Sequence, residues 1–184
     1  MGVPGVWRGV PGARMKVLAF LQNQWMNDPE KAREMIARTP MVRPRLIKYA
    51  LFQSHSGRRL KQVFGDECLQ WDWDNASPQI GGYPSSRFPA DPAHIRALLE
   101  ERDPDVVLAF GTVARDALRK AKGRFRLIAG PHPAARQDDV IARLEKMANA
   151  LKECRYENVS ELDDNGRSGR EDSDRAVQGR TEGA

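Results

Sequence analysis

A chain of 184 residues and 20.7 kDa fits one domain with a tail. It carries 30 Lys+Arg against 25 Asp+Glu, a net charge of +5, with 40% apolar and 7% aromatic residues, and no run of 18 apolar residues suggests a membrane span. Its two cysteines, Cys68 and Cys154, are too few for an all-cysteine zinc or four-cysteine iron–sulfur site and fit a reducing, cytoplasmic setting.

The charge is uneven. Residues 156–184 hold eight acids and four arginines, a balance of −4, so residues 1–155 carry +9. That stretch is rich in Gly, Ser and Asp and poor in aliphatics, and is expected to be a disordered acidic tail. Residues 1–14 repeat a Gly-Val-Pro-Gly theme without periodicity and read as a flexible leader, with Met15 an alternative start. No signal-peptide pattern precedes them. The folded body is expected over residues 15–155.

Lys16 to Leu21 is an apolar run read as a buried strand. Gln22 to Asn27 is a polar loop. Asp28-Pro29 opens a helix as N-cap and first-turn proline, and Thr39-Pro40 stops it after about Arg38. A second helix is expected over Arg45 to Phe52. Ser56 is read as the cap of a third, Gly57 to Phe64. Cys68 to Trp73 alternates as strand two. Asn75 to Pro89 is a long loop, a length usually tied to function or disorder. Asp91-Pro92 starts a helix to about Arg102. Val106 to Phe110 is strand three, followed through Gly111-Thr112 by a helix to about Lys120. Arg124 to Ala129 is strand four, Gly130 to Arg136 a rigid loop, and Asp138 starts the last helix.

Strands separated by helices imply an α/β chain: a three-layer αβα sandwich around a central four-stranded parallel sheet. Ligands bind such sheets at the carboxyl ends of the strands, which singles out Gln22–Asn27, Asn75–Pro89 and Gly130–Arg136. Asn23 could orient a water or satisfy a turn. Asn75 offers a donor pair and an acceptor, suited to a base edge, or forms a turn. His132 sits between two prolines that restrict its backbone and aim the imidazole. His94 and His55 read as surface residues. Asp72 and Asp74 lack a third metal ligand at suitable spacing. Neither a Gly-rich nucleotide loop nor a nucleophile elbow occurs, and no motif calls for a cofactor.

Four pieces in order, VLAFLQNQW, SGRRL followed by WDNASP, PDVVLAFGTVARDAL and GPHPAAR, resemble the uracil-DNA glycosylase superfamily over about residues 16–151. In the first piece the chain is most similar to the thymine/mismatch-type branch. The resemblance implies that Asn23 positions the attacking water. It implies that Trp25 limits which base enters, that Asn75 reads the flipped base, and that His132 donates to the base's developing oxyanion. Arg136 falls at the duplex wedge. Gln22 and Gly130, which open the first and third loops, count with the substrate-binding residues. Leu21, Gln24 and Ala134 depart from the family's usual glycine, proline and serine.

The expected activity is hydrolysis of the N-glycosidic bond of a flipped uracil or mismatched or modified pyrimidine, in base excision repair. The expected partner is DNA, with no membrane, metal or iron–sulfur cluster, acting as a monomer. Two alternatives stay open: a non-catalytic nucleic-acid-binding relative, and a nucleoside- or nucleotide-binding hydrolase.

Overall fold

Val17–Leu21 forms β1, with all five side chains buried. Val106–Phe110 forms β5 and is buried just as completely. A strand covered on both faces needs such an unbroken apolar run. In the computed structural model, which describes residues 15–22, 24–25, 28–83 and 87–167, these two strands are the middle of a four-stranded sheet. Its order is β3-β1-β5-β6, with β3 at Asp72–Asn75 and β6 at Arg126–Gly130. Every pairing is parallel, and helices flank both faces, giving the expected three-layer αβα arrangement.

One face packs on helices α4 (Pro92–Arg102) and α5 (Thr112–Leu118). Ile95, Leu98, Leu99, Ala114 and Leu118 meet Leu18, Phe20, Val107 and Ala109 there. The other face is aromatic. Trp73 of β3 stacks on Phe110 of β5 at 5.6 Å between ring centroids. Phe52 of α2 (Arg43–Phe52) and Phe64 of α3 (His55–Phe64) meet that pair edge-on. Such ring pairs add to their area burial.

The chain runs from β1 to β3 on one side, then crosses back to β5 on the other. The crevice where the winding changes direction therefore opens at the carboxyl ends of β1 and β5. The ladders continue past the strand ends at this edge. Ala76 N–H donates to Leu21 O at 2.7 Å, Ser77 N–H to Gln22 O at 2.9 Å, and Gly111 N–H to Gly130 O at 2.9 Å.

Several local expectations shift. Strand two begins at Asp72, not Cys68, because Gly65–Gln70 is a 3-10 turn. Cys68 and Trp71, three apart, both bury, as a three-residue repeat allows. Ser54, not Ser56, caps α3, accepting from Gly57 N–H, while Ser56 is buried. The second helix starts at Arg43. The long loop contains a short strand, β4 (Ile80–Gly81), which pairs in parallel with β2 (Gln24–Trp25). α1 (Pro29–Arg38) is capped by Asp28, as read from the sequence.

The described residues up to Leu151 that follow Arg14 make one compact unit holding all these strands. The last helix, α6 (Val140–Arg167), begins within it and runs to Arg167. Residues 156–167, read above as part of a disordered tail, are thus helical. The proposed leader 1–14, Asn23 and residues 168–184 lie outside the described residues. No helix among the described residues is long and apolar enough to cross a membrane.

Candidate functional site

The loop after β6 is stiff by composition and by packing. Pro131 and Pro133 are buried, and His132 between them is half-buried. Its Nδ1 accepts the Ala134 N–H at 3.1 Å, and its carbonyl accepts the Ala135 N–H at 2.9 Å. A nitrogen that accepts carries no proton, so the neutral ring holds its hydrogen on Nε2. Burial, helped by the nearby Arg87 guanidinium, lowers the imidazole pKa to about 4. Loss of hydration disfavours the charged form. The result is a neutral, fixed N–H donor.

Gly111 makes that placement possible. Its φ of +93° lies in the region that favours glycine. A side chain there would also bring its Cβ within 3.3 Å of the His132 Cβ. His132 thus folds back over the end of β5, at the crevice.

Asn75 ends β3, in register with Leu21 of β1. It is only 2% exposed. Its Oδ1 is buried and has no hydrogen-bond partner among the described residues. Leaving such an acceptor unpaired costs on the order of 1–3 kcal/mol, and orphaned groups of this kind call for an explanation. The backbone around it is held firmly. Asp74 accepts the Asn75 N–H at 2.7 Å. The same carboxylate oxygen takes Arg43 Nε and Nη2, both at 3.2 Å, and faces His94 Nε2 at 3.3 Å. Arg43 also donates to Pro78 O at 3.0 Å, tying the following loop down.

Gln22 Nε2 donates to Phe88 O at 3.5 Å and braces the long loop. Trp25 lies in β2, with its backbone paired to Gly81. Gly130 ends β6 facing α6, where an added Cβ would sit 2.1 Å from Met147 Sδ, so packing alone accounts for it. Arg136 is exposed at the end of its loop. Asn23 is outside the described residues. A separate cleft of about 490 Å³ lies beyond Gly130 and Pro131, lined in part by Arg143, Lys146 and Met147; neither His132 nor Asn75 lines it.

His94 is not the surface residue expected: its side chain is 18% exposed and faces Asp74. Its position in the first turn of α4, beside the cap Asp91, gave no hint of that long-range partner. His55 is exposed, as read. Sequence reasoning also missed Arg59. From α3 its Nη1 donates to Pro133 O at 2.8 Å and to Ala135 O at 2.7 Å. A lone arginine on an amphipathic helix looks like a solvated face, and only SGRRL marked the segment.

No cluster of three or more His, Cys, Asp or Glu able to hold a metal occurs among the described residues. Cys68 is buried, its thiol pushed up to about 11 by desolvation, and is therefore a poor nucleophile. No family model, no curated protein and no solved structure matches the chain.

Proposed function

We propose that the chain is a DNA glycosylase that hydrolyses the N-glycosidic bond of a flipped uracil or of a mismatched or modified pyrimidine. The observation that carries this reading is the neutral His132 held at the crevice with Nε2–H as its donor. Breaking the bond leaves negative charge on the departing base, and a fixed neutral donor stabilises that charge as it develops. An imidazolium would hand over its proton instead.

The orphaned Asn75 amide oxygen supports the reading. A base flipped in at the crevice would supply an N–H to it. Asn23 would orient the attacking water without removing its proton, so the rate would fall below that of a carboxylate-assisted relative. Trp25 would restrict the base admitted, and Arg136, exposed at the loop end, would enter the gap left in the duplex. The +9 carried by residues 1–155 suits a polyanionic partner.

The test is an abasic-site assay on oligonucleotides carrying uracil, mismatched thymine and modified pyrimidines. Alkali-labile sites are expected with the wild-type chain. His132→Ala should lower the rate by about 10²–10³, and Asn23→Ala should also lose activity. Salt-dependent DNA binding without product from any substrate would instead favour a non-catalytic DNA-binding protein.

A further inference from the structure

Arg59 reaches the His132 loop from a different part of the chain, and what it holds there is specific. Its two acceptors, Pro133 O and Ala135 O, lie on either side of Ala134. Ala134 is the residue whose N–H fixes His132 Nδ1. Among the described residues no carboxylate lies within ion-pair distance of Arg59. Its charge is spent on these two carbonyls.

The helix that carries Arg59 is itself anchored. Ser54 caps its first turn. Gly57 lies so close to α2 that an added Cβ would sit 2.4 Å from Leu51 O. Leu60, the next residue after Arg59, is fully buried. A planar guanidinium on a rigid base offers fixed donor directions, which an ammonium does not.

We infer that Arg59 is a positioning residue that sets the tautomer of His132. By pinning the carbonyls on both sides of Ala134, it aims the Ala134 N–H at Nδ1 and leaves Nε2 as the sole donor. The use of that donor rests on the glycosylase reading, but the tautomer is a property of the free protein. The inference can therefore be tested without any substrate.

The experiment is imidazole nitrogen NMR on the 15N-labelled full chain at neutral pH. The His132 signal is assigned by its loss in His132→Gln. The wild type is expected to show a single Nε2–H form. Arg59→Met, with its amide spectrum still dispersed, should show a mixture of both tautomers, and Arg59→Lys a smaller admixture. A pure Nε2–H form in folded Arg59→Met, or an Nδ1–H form in the wild type, would overturn the inference. Should Arg59→Met fail to fold, Arg59→Lys decides, and full retention of the wild-type pattern there refutes the role.

Where excision is measurable, Arg59→Met should lower kcat about 10-fold or more with KM and DNA affinity unchanged. An equal loss in KM would refute the role. If the wild type excises nothing while the tautomer responds as described, the glycosylase reading falls and the role of Arg59 stands.

Discussion

At the residue scale, His132 is a half-buried imidazole whose Nδ1 accepts the Ala134 N–H. Flanking prolines at a strand end marked it as held. The prolines alone do not say which ring nitrogen is protonated: that depends on the Ala134 N–H and on Arg59, 73 positions earlier in the chain. The lowered pKa of about 4 has a consequence that can be measured. Free histidine titrates near 6.5. As pH falls from about 6.5 to about 4, the unfolded chain takes up a proton at this position that the folded chain refuses, so stability falls across that window. The loss reaches about 3 kcal/mol at its limit. Urea unfolding at about pH 7 and pH 4.5 should show the wild type losing more stability than His132→Gln. Excision of a flipped base should stay flat down to about pH 5 instead of fading near 6.5.

At the element scale, apolar runs and proline caps identified the helices and the two central strands. The short pieces between were misread where a 3-10 turn mimicked strand alternation. Gly57 is the sharpest case of tertiary packing reversing a local rule. In an exposed helix interior, glycine to alanine gains about 1 kcal/mol. Here the new methyl would meet the Leu51 carbonyl and Phe52 Cα at 2.4 and 2.5 Å, backbone atoms that cannot step aside. Gly57→Ala should therefore lower stability by about 1–3 kcal/mol, read by thermal unfolding. Asp74 ties three elements through one carboxylate, 4% exposed. Asp74→Ala leaves Arg43 and His94 without their shared partner and should cost about 3 kcal/mol, measured the same way.

At the scale of the whole molecule, the layered α/β class was legible because β1 and β5 are too apolar to face water on either side. The strand order was not, since periodicity describes a strand and says nothing about its neighbour. The crossover from β3 to β5 past β1 creates the crevice, and no local signal encodes it. Because the compact unit reaches Leu151 and contains every described strand, a chain ending there should keep its α/β circular dichroism and unfold cooperatively. A flat, non-cooperative melt would show that later residues are needed for the fold.

The hydrogen bond from Gly111 to Gly130 closes the β5–β6 ladder at the residue two before His132. Its amide proton can be replaced by deuterium only when that rung opens. Interior strand amides wait for global unfolding, whereas loop amides exchange through small local openings. The Gly111 amide stands at the boundary between these regimes. Its exchange rate is therefore a clock for how often the His132 loop lifts from the sheet, and it runs in the resting protein with nothing bound.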